Sequence, residues 1–346
     1  MRDSLRTGRF ALAVFVVCLV PSGLGAAQQS ASPQTPPLRS ATELVKLDVS
    51  VLDQSGKFAA GLTAHDFRVL DNGIEQPVTF FSPVESPAQI LVMLETSPAV
   101  YLIRSEHISA IYALLDGLAP DDQVALATYD ATPRGILGFT EDKAALRAAL
   151  SEVQYTIGMD ELNLYSSIST VLDWVGSSTG KKALVVLGTG LDSSPSPSWD
   201  ALVKKLRGQD VVIFPVALGG WLRGGPSHKS KAKKKESRGN AKHEPEPPPT
   251  RSSEIFAKAD AALLSLASMT GGRAYFPESA GDFVSIYRQI AYELRNEYVL
   301  GIQPAQDGQF HSLTVAVIGT PKSATPRAKT TAYRIFARAG YLAPKP

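Results

Sequence analysis

Cysteine is almost missing from this chain: one in 346 residues, Cys18. It lies in an N-terminal run that reads as a removable signal, so the mature chain is expected to carry no thiol. That excludes disulfides, cysteine nucleophiles and zinc–cysteine sites. Histidine is nearly as sparse. His65, His107, His228, His243 and His311 are scattered with no metal-ligand spacing. A large charge of one sign is also lacking. The formal net charge of +2 implies no strongly charged partner. No apolar run is long enough to span a bilayer as a helix, so no integral span is expected in the mature chain.

The chain does have an ordered N-terminal signal. Arg2, Arg6 and Arg9 form a basic region, Phe10 to Val20 an apolar one, and Pro21 to Ala27 a small-residue one. This is the order of a secretory signal peptide, with cleavage expected after Ala27. The protein is therefore expected in the periplasm, on the cell surface or released. Residues 28–41, rich in Gln, Ser and Pro, read as a flexible linker.

The remainder has two textures. Val45, Leu47, Val49 and Val51 alternate with polar residues, the pattern of a half-buried strand. "DNG" at Asp71–Gly73 signals a hairpin, and "PVTFF" follows. Residues 42–86 thus form a small antiparallel β module. From Pro87 strands alternate with helices. "AQILVMLE", "QVALATYD", "ALVVLGTG" and "VVIFPVAL" are buried strands, and "GILGF" is a shorter one. Helical stripes run through Ile108–Leu118, Leu164–Val175 and Phe283–Leu294. Thr140 is expected to cap a helix, and "AYF" at Ala274–Phe276 to be a strand. The alternation predicts an α/β fold with a doubly wound, mainly parallel sheet. Its domain spans 87–301, with a disordered basic and Pro-rich insertion at 220–253. β texture returns in 302–346, so the doubly wound domain is expected to be inserted between antiparallel β segments that meet in space.

Enzyme-like motifs are present but in the wrong context. "GSSTG" (Gly176–Gly180) matches a nucleophile-elbow pattern, yet a helix precedes it and a strand follows. "GSSTGKK" is one residue short of a P-loop, and "GTGLDS" lacks the third glycine of a dinucleotide fingerprint. The acid pairs Asp121–Asp122 and Asp160–Glu161 read as helix-entry and loop charges.

The succession "GLTAHDFRVLDNG", "ILVMLETS", "TGGRAYF", "ARAGYLAP" resembles the von Willebrand factor A-related family common in acidobacteria. The similarity runs from Leu44 to Pro344. It implies a von Willebrand A-like domain whose usual business is binding proteins. Many such domains hold a divalent cation on three loops at the C-terminal edge of the sheet: Asp-x-Ser-x-Ser, then a Thr, then an Asp. Carried over residue by residue, the pattern mostly fails. Glu95 replaces the first Asp, Ser97 matches, Ala99 replaces the second Ser, Leu162 falls at the Thr and Thr189 at the Asp. A hard cation needs six or more oxygens. Hence the expectation is a non-catalytic protein-binding module with a degenerate, metal-free site, no cofactor and no nucleic-acid partner. Its contacts are expected at Thr96, Pro98, Tyr101, Asn163, Thr189 and Asp192, with Tyr155 and Tyr165 as further candidates. One alternative keeps Mg²⁺ or Ca²⁺ at Glu95 and Ser97, with Asn163 or Asp192 as substitute ligands. Another is an extracytoplasmic hydrolase of unknown type.

Overall fold

The computed structural model describes residues 44–83, 87–158, 161–176, 180–193, 199–218, 251–279, 281–318 and 333–346. The expected signal peptide and linker, most of the expected insertion and Asp160 lie outside the described residues.

Five strands make the central sheet: β5 (Ala88–Glu95), β6 (Gln123–Tyr129), β7 (Pro133–Thr140), β8 (Lys181–Gly188) and β9 (Val211–Ala217). Their order is β7-β6-β5-β8-β9, parallel throughout except for the antiparallel edge strand β7. Strand alternation feeds two cores. Ile90, Val92 and Leu94 of β5 join one face, and Leu91 and Met93 the other. On the first face lie α1 (Pro98–Tyr101), α2 (Arg104–Gly117), α3 (Lys143–Ser151) and α7 (Asp282–Arg295). On the second lie α4 (Leu164–Gly176), α5 (Trp199–Leu206) and α6 (Arg251–Thr270). Apolar side chains on both faces explain why these strands read as continuous apolar runs. Pro215 is tolerated because β9 is an edge strand.

Two smaller antiparallel sheets complete the chain. One has the order β12-β1-β10-β4, from β12 (Arg334–Phe336), β1 (Val45–Leu52), β10 (Tyr298–Ile302) and β4 (Phe80–Pro83). The other has the order β13-β11-β2-β3, from β13 (Gly340–Leu342), β11 (Phe310–Val317), β2 (Phe67–Asp71) and β3 (Ile74–Gln76). Leu47, Val49, Phe67, Val69, Leu300 and Leu313 share one core, so the two sheets pack as a sandwich. Val45 pairs with Ile302 and Val69 with Val315. The doubly wound sheet is thus inserted between antiparallel segments.

Two local expectations are corrected. Asp142, not Thr140, caps α3: its carboxylate accepts from Ala144 N at 2.9 Å and Ala145 N at 3.0 Å. The Thr140 hydroxyl instead accepts from the Asp142 amide, tightening the turn ahead of the cap. "AYF" is no strand, because only Tyr275 bridges to Val216 beside β9. Among the described residues, no helix is long and apolar enough to cross a membrane.

Candidate functional site

Strands β5, β6 and β8 end side by side, which places their following loops at one edge of the sheet, where open α/β sheets bind ligands. β5 is flanked by both others, so its last residue, Glu95, reaches each. The side chain does not project outward. Glu95 is 0% exposed. Its Oε1 accepts from Ser97 Oγ at 2.6 Å. Its Oε2 accepts from Thr189 N at 2.6 Å, Thr189 Oγ1 at 2.9 Å and the Tyr129 hydroxyl at 3.1 Å. The extra methylene of Glu, relative to Asp, lets the carboxyl fold back over β8. Gly188 makes the room, since a Cβ there would overlap the Tyr129 hydroxyl and Glu95 Oε2. Burial pushes the Glu95 carboxyl above its usual range, and the hydrogen bonds from Ser97, Thr189 and Tyr129 only partly oppose it.

The neighbouring residues are turned inward too. Thr96 and Thr189, expected at the partner-facing surface, are buried. Thr96 gives its amide and its hydroxyl to Tyr129 O at 2.9 and 3.2 Å, while Thr189 serves Glu95. Thr156, not Leu162, is the threonine beside the first loop, its amide donating to Thr96 O at 2.8 Å. Its hydroxyl donates to Asp130 Oδ2 at 3.0 Å. Burial opposes the charge of Asp130, but hydrogen bonds from Arg134, Thr132 and Thr156 outweigh it and hold that carboxyl below its usual range.

Asn163 and Asp192, the expected substitute ligands, bind backbone instead. Asn163 Nδ2 donates to Ala131 O at 2.7 Å, and Asp192 Oδ1 accepts from Tyr165 N at 3.0 Å at the start of α4. Leu162 and Ser193 clasp each other, with Ser193 N donating to Leu162 O at 2.7 Å and Leu162 N to Ser193 Oγ at 2.8 Å.

This donor set does not fit a divalent cation. The Glu95 oxygens are occupied by protein donors, Ala99 and Leu162 bring no side-chain oxygen, and Thr189 is spent on Glu95. Near these loops, among the described residues, the buried side-chain oxygens without a partner are Asn163 Oδ1 and Ser167 Oγ. Two neutral oxygens fall short of the shell Mg²⁺ or Ca²⁺ requires.

What faces outward is apolar and aromatic. Leu102 is 70% exposed, Ile157 91% and Tyr101 39%, with Pro98 exposed beside them. Tyr101 meets Tyr155 edge-on at 5.7 Å, and the Arg104 guanidinium lies 4.2 Å from the Tyr101 ring centroid. Tyr165 is instead packed against Trp199 at 5.2 Å.

Sequence reasoning missed Tyr129, Asp130, Thr156 and Gly188. The signal for the first two was the polar "YD" that ends "QVALATYD", next door to β5 at the same edge. Thr156 and Gly188 acquire their roles only from what lies across from them.

No family model matches the chain, and no curated protein matches it. Solved structures do. A von Willebrand factor type A protein from Catenulispora acidiphila is 10% identical, over 87% of this chain and 75% of that one, with a TM-score of 0.43. An aerotolerance-related membrane protein from Bacteroides fragilis is 14% identical, over 59% of this chain and 98% of that one, with a TM-score of 0.41. The conserved hypothetical protein BatB from Bacteroides thetaiotaomicron is 14% identical, over 60% of this chain and all (100%) of that one, with a TM-score of 0.40.

Proposed function

We propose that this chain is an exported, non-catalytic protein-binding module related to the von Willebrand A domains, of the kind found in acidobacteria. It works at the C-terminal edge of its central sheet without a resident metal. The observation that carries this reading is the inward turn of Glu95 onto Ser97, Tyr129 and Thr189. A site whose acid is consumed by its own loops cannot present a cation to a partner's carboxylate. Binding then rests on the outer surface, where Tyr101, Leu102 and Ile157 offer apolar area beside the Arg104 guanidinium. That chemistry fits a partner surface combining an apolar group with an acid, Tyr being favoured at binding hot spots. The expected domain boundaries, 42–86, 87–301 and 302–346, belong to the same proposal, as does export through residues 1–27.

Two measurements test it. Thermal melts of the chain in EDTA and in millimolar Mg²⁺, Ca²⁺ or Mn²⁺ are expected to coincide. A cation at about 100 times its Kd adds roughly 2.7 kcal/mol, a shift of a few degrees. Such a shift, lost in Glu95→Ala, would overturn the metal-free reading. Crosslinking in the native envelope is expected to yield an adduct with the wild-type chain and none with Leu102→Asp/Ile157→Asp. An adduct indifferent to those changes would move the binding surface elsewhere.

A further inference from the structure

The opposite, N-terminal edge of the central sheet meets the sandwich across a cavity of about 420 Å³. That is within the range of small-molecule sites, which favour such seams. Its polar wall contains Lys46, Asp48, Lys181, Lys182, Asp210 and Arg338. Two of these bases are already answered. Lys181 pairs with Glu297 at 2.7 Å and Lys182 with Asp210 at 3.0 Å.

Arg338 and Lys46 make no direct ion pair with a described acid, although Asp48 attracts both and Asp210 attracts Arg338 from further off. Arg338 gives Nε to Gly340 O at 2.7 Å and Nη2 to Gln209 O at 3.0 Å. Both acceptors are neutral carbonyls, and they fix the guanidinium plane while leaving donors free. No described acid lies within ion-pair distance of Arg338 or Lys46. Asp48, two residues from Lys46 on the same face of β1, lines the cavity and accepts no hydrogen bond from a described residue. The rest of the wall mixes the polar Ser82, Gln209 and Thr270 with an apolar part that includes Phe80, Val212, Met269 and Val299. An adjoining cavity of about 790 Å³ shares Lys46, Gln209, Asp210 and Arg338 with it.

Two motifs with no role in the other edge build this wall. "TGGR" ends α6, and "ARAG" carries Arg338. Thr270 bridges to Arg338, and Ala339 N donates to Met269 O at 3.1 Å. Gly271, at φ +82°, permits the approach, because a Cβ there would stand 2.7 Å from Arg338 N.

We propose that this cavity binds a small organic carboxylate with a short apolar body, its carboxylate held by the Arg338 fork and Lys46. The geometry matches the bidentate preference of guanidinium for carboxylate. Burial raises the Asp48 carboxyl above its usual range, with Lys181, Arg338 and Lys46 pulling it down and Asp210 adding to the rise.

The test is a titration of the full chain with hexanoate and benzoate, followed by calorimetry and thermal melting. Hexylamine, methyl hexanoate and inorganic phosphate are the controls. Saturable binding of the carboxylates alone is expected, with a midpoint rise of a few degrees near saturation. Lys46→Ala, at an exposed position without an ion pair, is expected to weaken binding about fivefold. Asp48→Asn is expected to leave it unchanged or tighten it. No saturable binding by either carboxylate overturns the proposal. So does equal binding of phosphate, which would mark simple anion attraction, or binding that neither variant alters, which would place it elsewhere.

Discussion

The two ends of β8 each adjoin a buried acid, and the two acids keep opposite company. At the C-terminal end Glu95 is met by hydroxyls and one amide, all neutral. At the N-terminal end Glu297 is met by the Lys181 ammonium, which also donates to Leu294 O at 2.5 Å. Burial pushes the Glu297 carboxyl up to about 7 against the pull of Lys181, the leading opposing effect. Neutral donors satisfy a carboxyl without importing charge, and the loops then close over it. A cation brings charge into the seam, further bases accumulate beside it, and room for an anion remains. The edge that the fold class would nominate for a metal is therefore sealed, while the edge it would not nominate holds a polar cavity.

The largest test of this contrast is Lys181→Ala. It leaves Glu297 buried without its cation and is expected to lower stability by about 3–5 kcal/mol, read by denaturant titration. The loss should shrink in mild acid, where Glu297 takes up a proton. Next comes Glu95→Ala, expected to cost about 3 kcal/mol by stranding Thr189 N and the Tyr129 and Ser97 donors. Glu95→Gln, which keeps the volume and an acceptor oxygen, should recover about half. If Glu95→Ala leaves the melt unmoved, the neutral network is not what holds that edge together.

His107 has neither kind of company. It is buried on α2 with both ring nitrogens unpartnered, edge-on to Phe283 at 4.8 Å. Burial drives its pKa from 6.5 down to about 3, against the opposing pull of Glu106. The unfolded chain thus takes up this proton as pH falls below 6.5 while the folded chain does not. Stability should drop by about 1.4 kcal/mol per pH unit, or about 2 kcal/mol between pH 6.5 and 5. His107→Leu should flatten that limb relative to the wild type in urea titrations. The smallest stability effect belongs to the outer surface. Leu102→Asp and Ile157→Asp change exposed side chains and should stay within about 0.5 kcal/mol of wild type.

Much of the fold was legible because its signals are local. The apolar runs of β5, β8 and β9 and the stripe of α4 declare period and burial without reference to anything distant. The weakness of the metal motif was also legible, since Ala99 and Leu162 lack oxygen wherever they sit. The inward turn of Glu95 was not. It depends on Gly188, 93 positions away, lying opposite across a parallel strand pair, and on Tyr129 from the other flank. In sequence, Gly188 is one glycine of "GTG", and Thr189 looked free for a partner. The cap of α3 shows the same limit at short range. Thr140 and Asp142 are both good caps, and only backbone geometry decides which hydroxyl or carboxylate faces the amides.

Pairing Val45 with Ile302 and Val69 with Val315 also sets an order of events during chain growth. The β2–β3 hairpin can form early, but β1 cannot find β10 and β12, nor β2 its other neighbour β11, until the final stretch has emerged. The central sheet, whose strand pairings close within residues 88–217, is able to mature first and draw the ends together. Such long-range closure is slow, because loop entropy must be met before the contacts reward it. Val45, Leu47 and Val49 therefore wait exposed for most of synthesis, a state that invites aggregation or a chaperone.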